Sequence, residues 1–287
     1  MADAQPVMRV GIYGLSGSGK TTFCATAPEP LVVLVNEPQG VETIRRHNPA
    51  AEVVVLNGWG DVVNLRRSLV GNTTPITIDG APGMRLDLHQ WRGDKRGDLV
   101  EGGIEFSTLC VDGFAALQGL AMDALRSQPN RKVSDLEMTQ RDWGMLRVMT
   151  ETFMADARAL GCHLVTTFLA VEDKGGRDED TGQVRPRTVR PVVAGSLSQN
   201  IGQFFNAFGY AQHTSGGRRI AWDLPEPTYV CKRPPTWPAE TLHSLSEPGR
   251  GSLGSIALAM YGEHAAHNAC DRADLVTLTD AGIVPVS

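Results

Sequence analysis

The stretch Gly14-Leu15-Ser16-Gly17-Ser18-Gly19-Lys20-Thr21 decides how the rest of the sequence is interpreted, because it fits the pattern G-x-x-x-x-G-K-[ST] at every fixed position. Glycines in such a loop let consecutive backbone N–H groups turn inward around a phosphate. The Lys20 ammonium reaches the outer phosphates of a nucleoside triphosphate, and the Thr21 hydroxyl is a ligand for Mg²⁺. The predicted phosphate-binding residues are Gly14, Ser16, Gly17, Ser18, Gly19, Lys20, Thr21 and Thr22.

Apolar runs on both sides of this loop predict buried strands. They cover residues 9–13, 31–35, 53–56, 108–111 and 162–170. Helices are predicted from Asp61 as a cap through Leu69, over residues 114–125, and from a capping box of Ser134 and Glu137 to a stop at Gly161. Strands that alternate with helices in this way predict an α/β fold with a mainly parallel central sheet.

The later part of the chain has a different pattern. Residues 171–200 are polar and are predicted as a loop, whereas residues 204–212, 218–224 and 228–232 are predicted as antiparallel strands added at the C-terminal end of the sheet. Residues 71–103 are predicted as an irregular or hairpin insertion. These patterns predict a core domain over residues 1–247 and a small helical appendage over residues 248–287, with a helix at 253–261.

Composition excludes several classes of protein. The chain has 287 residues, of which 41% are hydrophobic and 21% are charged, which is typical of a globular protein and excludes a wholly disordered chain. A net charge of -5 argues against a uniformly basic nucleic-acid coat. We expect a cytoplasmic protein without a membrane span, because no signal peptide is recognisable and the five cysteines are scattered. His264, His267 and Cys270 are spaced like metal ligands but lack a second ligand pair.

Two carboxylates follow predicted strands at positions where a bound nucleotide would lie. Asp112 ends the strand Leu109-Cys110-Val111 and is predicted to hold Mg²⁺ beside Thr21; the alternative is a helix cap. Glu37 follows the strand at 31–35 and is predicted to orient an attacking water; the alternative is a solvated loop acid. Because parallel strands bring their carboxyl ends to one edge of the sheet, we expect both acids beside the phosphate loop.

These pieces together resemble RecA-like P-loop ATPases, and most closely the phage-encoded RecA-like nucleotide-binding proteins related to Sak-type single-strand annealing proteins. The matching segments are GLSGSGKTTF, VNEPQG, LCVDGFAAL, RDWGMLRVM, CHLVTTFLAVED and TYVCKRP, within about residues 8–235. The resemblance implies an ATPase that uses ATP and Mg²⁺ and acts on single-stranded DNA in recombination, annealing or replication. In a phage-encoded protein the location would be the host cytoplasm.

The resemblance also implies roles for residues further along the chain. Thr166 or Thr167 would sense the terminal phosphate, although the family often has a histidine near the position of Phe168. Lys232 and Arg233 would reach the nucleotide of a neighbouring subunit, so the active form would be a homo-oligomer, either a ring or a filament. The implied DNA contacts are Arg131, Lys132, Lys174, Arg185, Arg187 and Arg190.

Two other functions remain open from the sequence. A kinase for a small molecule or nucleotide has a similar phosphate loop, and residues 173–190 would then imitate its arginine-rich lid. A nucleotide-gated scaffold would bind ATP without useful hydrolysis. A GTPase switch is disfavoured, since no N-K-x-D motif for guanine occurs in the chain.

Overall fold

The computed structural model describes residues 7–27, 31–69, 76–79, 85–88, 108–128, 137–159, 162–177, 184–185, 187–194, 197–215, 217–224, 228–235, 237 and 242–244. Its helices are α1 Lys20–Ala25, α2 Pro38–His47, α3 Trp59–Leu69, α4 Phe114–Arg126, α5 Gln140–Ala159 and α6 Leu197–Asn200, followed by a 3₁₀ turn Ile201–Phe204. Its strands are β1 Arg9–Gly14, β2 Leu31–Val35, β3 Glu52–Val55, β4 Ile76–Asp79, β5 Arg85–Leu88, β6 Thr108–Val111, β7 His163–Asp173, β8 Gly176–Arg177, β9 Val184–Arg185, β10 Thr188–Pro191, β11 Ala207–Thr214, β12 Gly217–Ala221 and β13 Leu242–Ser244.

The fold is α/β with a mainly parallel central sheet, which confirms the predicted fold class. Within the described ranges its strand order is β13-β12-β11-β1-β7-β6-β2-β3. The strands from β11 to β3 run parallel to their neighbours. The last two strands, β12 and β13, add to the C-terminal end antiparallel. The carboxyl ends of β1, β2, β6 and β7 therefore lie along one edge, where the phosphate loop begins.

Helices cover both faces of this sheet, which is why its strands appear as continuous apolar runs in the sequence. In β2, Val32 and Leu34 belong to the core that α3, α4 and α5 cover, whereas Val33 and Val35 belong to the core under α1 and α2. Burying each such side chain contributes about 1.5–3 kcal/mol to the free energy of unfolding.

The segment predicted as a loop at residues 171–200 instead contains strands. β7 continues to Asp173, beyond the edge of the parallel sheet, and β10 folds back to pair with it antiparallel from Thr188 to Pro191. β8 and β9 form a further two-stranded pair. The sequence does not predict this extension, because Leu169, Val171 and Asp173 share one exposed face of β7 but mix apolar and charged side chains. The segment therefore lacks the regular alternation of apolar and polar residues that indicates a strand.

The prediction of a strand at residues 228–232 is wrong. In the described structure Tyr229 and Lys232 form only isolated bridges, to Val189 and Phe208. The Val230 N–H donates to the Tyr13 hydroxyl, 3.1 Å away, so a side chain takes the place of a ladder partner. The edge beside β12 is taken by β13 instead.

Two predicted helix caps lie elsewhere. Asp61 lies inside the first turn of α3, and its carboxylate accepts hydrogen bonds from the N–H groups of Asn57 and Gly58. The first turn of α5 is capped by Thr139 and Asp142, which exchange side-chain-to-backbone hydrogen bonds. This is a capping box of the same chemistry as the predicted one, five residues further along the chain.

The insertion predicted at residues 71–103 contains β4 and β5, which pair antiparallel from Ile76 to Leu88. The predicted cap Ser134, the cation pair Arg131-Lys132 and the appendage at 248–287 lie outside the described residues. No helix in the described ranges is long and apolar enough to span a membrane.

Candidate functional site

A cavity of about 380 Å³ opens at the carboxyl edge of the parallel strands. It brings together most of the predicted phosphate-loop residues with both predicted acids and one of the two predicted sensor threonines. Its lining includes Ser16, Gly17, Gly19, Lys20, Thr21, Thr22, Glu37, Asp112 and Thr167. The sequence patterns thus converge on a single place, as expected for strands that end at a common edge.

The glycines of the phosphate loop are required for different structural reasons. Gly17 and Gly19 have φ angles of 76° and 94°, in the left-handed region that other residues rarely adopt. Gly14 is required by the neighbouring strand, because a Cβ atom there would lie 2.2 Å from the Ala211 carbonyl oxygen. The loop conformation and its attachment to the sheet therefore depend on different glycines.

The Lys20 ammonium lies folded against its own loop. Its Nζ donates hydrogen bonds to the carbonyl oxygens of Gly14, at 2.9 Å, and Leu15, at 2.8 Å. Burial lowers the pKa of Lys20, and the nearby carboxylates of Asp112 and Glu37 oppose that effect. A half-buried cation held at the loop in this way is suited to bind an anion inside the cavity.

The Asp112 carboxylate lies at the centre of a hydrogen-bond network. Its Oδ1 accepts from the Thr167 hydroxyl at 2.7 Å, and the same Thr167 oxygen accepts from the Gly113 N–H at 2.9 Å. The Thr21 hydroxyl also hydrogen-bonds to Asp112. Burial raises the pKa of Asp112, while these hydroxyls and the Lys20 charge partly offset the effect.

The donor set fits a divalent cation. Mg²⁺ prefers oxygen ligands and is usually bound through one or two protein groups with waters and substrate phosphates. Thr21 and Asp112 are already in contact at the cavity, so they are the residues that would hold it. Asp112 does not cap α4: the residue before that helix is Gly113, without a side-chain cap.

Glu37 lies where α2 begins. It is the residue preceding Pro38, has extended backbone geometry and lines the cavity. Its carboxylate makes no capping hydrogen bond to α2, and the side chain is exposed. It is close enough to the phosphate loop to raise the pKa of Lys20. The position is compatible with a water-orienting carboxylate, which stays a prediction.

Of the two threonines predicted as sensors, only Thr167 reaches the cavity. Thr166 lies on the opposite face of β7, is fully buried, and its hydroxyl has no hydrogen-bond partner among the described residues. Successive residues of a strand point to opposite faces, which separates the two. The sensing role of Thr167 stays a prediction, but the choice between the two residues follows from their placement.

Lys232 and Arg233 do not line the cavity. Lys232 Nζ donates to the Phe205 carbonyl oxygen at 2.6 Å, and Arg233 Nε donates to the Asp223 carboxylate at 3.0 Å. Both cations therefore have partners within their own chain. Their role at a neighbouring subunit's nucleotide stays a prediction.

The predicted DNA contacts are distributed along the extension of β7. Lys174 is exposed just after β7, and Arg187 forms an ion pair of 2.6 Å with Glu172. Arg190 lies in β10, and its buried Nε has no hydrogen-bond partner among the described residues. Arg185 lies in β9. The four residues thus lie in or beside two antiparallel strand pairs, and contact with DNA stays a prediction.

Some lining residues were not predicted. Gln39, Gly40 and Thr43 come from α2, and Arg218 comes from β12. The sequence held no clear signal for the α2 residues, since even a Cβ at Gly40 would make only an ordinary contact, 3.5 Å from the Asp112 carboxylate. For Arg218 the only signal was the adjacent Gly216-Gly217 turn.

The comparison with protein families matches residues 7–234 to the model described as AAA domain. The chain belongs to this AAA domain family. The family places it among P-loop nucleotide-binding ATPases, which generally use ATP and Mg²⁺, and the cavity described above lies within the matched residues. A search of curated proteins found no match. The narrower resemblance to phage Sak-type proteins stays a prediction.

Proposed function

We propose that this AAA-domain protein hydrolyses ATP as a homo-oligomer acting on single-stranded DNA. The observation that carries the ATPase part is the cluster at one cavity: Lys20 on the phosphate loop, with the hydroxyls of Thr21 and Thr167 both bonded to Asp112. Mg²⁺ held by Thr21 and Asp112 would neutralise charge on the outer phosphates.

The chain's own groups have distinct parts in this proposal. The loop amides and Lys20 bind the phosphates, and Lys20 exchanges its carbonyl partners at Gly14 and Leu15 for phosphate oxygens. Glu37 orients the attacking water and accepts its proton. Thr167 holds Asp112 in position by donating a hydrogen bond to its carboxylate, while the same hydroxyl accepts a hydrogen bond from the Gly113 N–H.

The DNA part is supported by charge at the extension of β7. Arg190 is paired through its backbone with Val171, four residues beyond Thr167 along β7. The cations Lys174 and Arg190 therefore lie on a segment that begins at the nucleotide cavity. Cations on such a segment would bind the phosphates of a single strand, and the binding would weaken as salt concentration rises.

The experiment is ATP hydrolysis measured with and without single-stranded DNA, for the wild type, Lys20→Ala and the pair Lys174→Ala with Arg190→Ala. We expect DNA to stimulate the wild type, the Lys20 variant to lose nucleotide binding, and the paired variant to lose stimulation only. Arg46→Ala is the matched control, since this exposed arginine of α2 pairs with Glu42.

Other outcomes would replace the proposal. Turnover that requires a small acceptor molecule would assign the chain to the kinases. Equal and negligible turnover in the wild type and Glu37→Ala under saturating ATP would assign it to the nucleotide-gated scaffolds.

The oligomer is tested by mixing two inactive variants. Lys232→Ala and Asp112→Ala damage different halves of a site shared between subunits, so mixing them is expected to recover activity. In the described chain Lys232 is bonded to Phe205, so a contact in trans would require that this hydrogen bond open. Failure to recover activity would remove Lys232 from the site.

A further inference from the structure

Arg218 is a charged residue of the cavity that the phosphate-loop motif and the two acids do not account for. It lines the same cavity as Lys20 and Asp112, but it belongs to β12. That strand lies two places from β1 in the sheet, on the side away from β7 and β6.

The register of the strands gives the height of Arg218 along the sheet. Ala211 of β11 lies beside Gly14, where the phosphate loop leaves β1. His213, two residues further along β11, lies beside Arg218. Arg218 is therefore about 7 Å beyond Gly14 along the strand direction. This position is level with the phosphate loop, which begins at Gly14.

The alternation of β12 gives the face on which Arg218 lies. Ile220 belongs to the core cluster that contains Phe23 of α1. Since residues two apart on a strand share a face, Arg218 lies on the face that carries α1. Arg219 lies on the opposite face and does not line the cavity.

The two ends of the cavity differ in chemistry. Asp112 and Glu37 follow β6 and β2, on one side of β1. Arg218 is about 10 Å from β1 on the other side, two strand spacings away. Among the described lining residues, Arg218 is the one that comes from the strands on this second side of β1, which are β11, β12 and β13.

We propose that Arg218 binds the nucleoside end of the bound nucleotide, at its α-phosphate and ribose, from within the same chain. The inference rests on the proposed nucleotide binding. The terminal phosphate and the metal belong beside Asp112 and Thr21, so the nucleoside at the other end of the ligand points toward β12. A guanidinium stays charged and offers five donors to phosphate or hydroxyl oxygens.

This placement has a consequence for affinity. ATP and ADP have the same nucleoside end, so Arg218 contributes equally to the binding of both. A cation at the terminal phosphate would instead favour ATP and accelerate hydrolysis.

The test is isothermal titration of the full chain with Mg-ADP and with a slowly hydrolysed Mg-ATP analogue. Arg218→Ala is expected to raise both Kd values by roughly tenfold, the effect of losing a hydrogen bond to a charged group. The matched control is Arg219→Ala, the neighbouring arginine on the other face, for which both Kd values are expected within about twofold of the wild type. Thermal melting checks that the variants are folded, and Arg218→Gln serves as a second variant.

Two results overturn the inference. Unchanged affinities in both Arg218 variants would show that the residue does not bind nucleotide. A loss confined to the ATP analogue would place Arg218 at the terminal phosphate. Lys20→Ala is titrated in parallel to separate the two proposals. If Lys20→Ala loses nucleotide affinity and the Arg218 variants do not, only this inference fails. If the wild type binds neither nucleotide, both proposals fail.

Discussion

At the scale of single residues, Asp112 combines a function with a cost in stability. Burial raises the pKa of its carboxyl group, so the ionised form that a metal requires is the form that the fold disfavours. The hydroxyls of Thr21 and Thr167 offset part of this cost by donating hydrogen bonds. Mg²⁺ and nucleotide would offset more, because anything that binds the folded state stabilises it.

We expect Asp112→Asn to raise the unfolding temperature of the nucleotide-free protein and to abolish Mg²⁺-dependent turnover. A neutral amide keeps an oxygen for the Thr167 hydroxyl but carries no buried charge. The gain is on the order of 1 kcal/mol, or about 2–4 °C for a protein of this size. Scanning calorimetry and a hydrolysis assay measure the two effects.

The stability gained by Asp112→Asn should depend on pH. With a raised pKa the folded protein binds the Asp112 proton more tightly than the unfolded chain does. The stability contributed by this group therefore falls as pH rises from the ordinary aspartate pKa, about 3.9, through the raised value. The advantage of Asp112→Asn should grow over that window, and an advantage independent of pH would contradict the assignment.

Thr167 can be tested by removing its hydroxyl while keeping its shape. Thr167→Val leaves the Gly113 N–H and one Asp112 oxygen without their partner, which should cost about 1–3 kcal/mol of unfolding free energy. Thr167→Ser keeps the hydroxyl and serves as the control. Denaturant unfolding measures both, and equal losses in the two variants would point to packing of the methyl group instead.

At the scale of elements, the long helix α5 begins with a capping box that differs from the predicted one. Thr139 N–H and hydroxyl both donate to the Asp142 carboxylate, at 2.7 and 2.6 Å, and the Asp142 N–H is bonded to the Thr139 hydroxyl. Asp142 is mostly buried, so the cap is part of the packed structure.

Removing this cap should cost about 1 kcal/mol, a typical value for replacing a capping threonine by alanine. We expect Thr139→Ala to lower the midpoint of urea unfolding without a change in nucleotide affinity, since α5 does not line the cavity. Thr139→Ser should retain most of the stability. A normal midpoint in the alanine variant would mean that α5 begins without this cap in solution.

At the scale of the whole molecule, the folded unit continues past the end of the family match at residue 234. Trp237 is 2% exposed and packs edge-on against the fully buried Trp222 at a ring-centroid distance of 5.2 Å. Its carbonyl oxygen accepts a hydrogen bond from Arg233. β13 then adds the outermost strand of the sheet beyond β12.

Trp237→Ala should therefore destabilise the protein by about 3–5 kcal/mol, as expected for removing a buried aromatic side chain. Trp237→Phe retains a ring against Trp222 and should cost less. Chemical unfolding monitored by tryptophan fluorescence measures both. If the alanine variant is as stable as the wild type, the folded unit ends near residue 234.

The predictability of this molecule from its sequence differs between its two halves. The runs at 31–35 and 108–111 match β2 and β6 residue for residue, because strands buried on both faces leave continuous apolar runs. Glu37, Asp112 and the phosphate loop converge because parallel strands share an edge. Tyr229 and Arg218 were not predictable in the same way. Tyr229 bridges to Val189, and Arg218 reaches the cavity because β11 pairs with the distant strand β1, with Ala207 beside Val10.

The glycines of the phosphate loop would separate in a mutational scan that scores abundance and nucleotide binding independently. A Cβ at Gly14 would collide with the Ala211 carbonyl oxygen, so substitutions there should lower the amount of folded protein. A Cβ at Gly17 would meet no atom of the described residues within 4 Å, but the positive φ of Gly17 is needed for the loop shape. Substitutions there should therefore leave abundance high and nucleotide binding low. A single sequence motif thus meets two independent requirements, one set by the neighbouring strand and one set by the ligand.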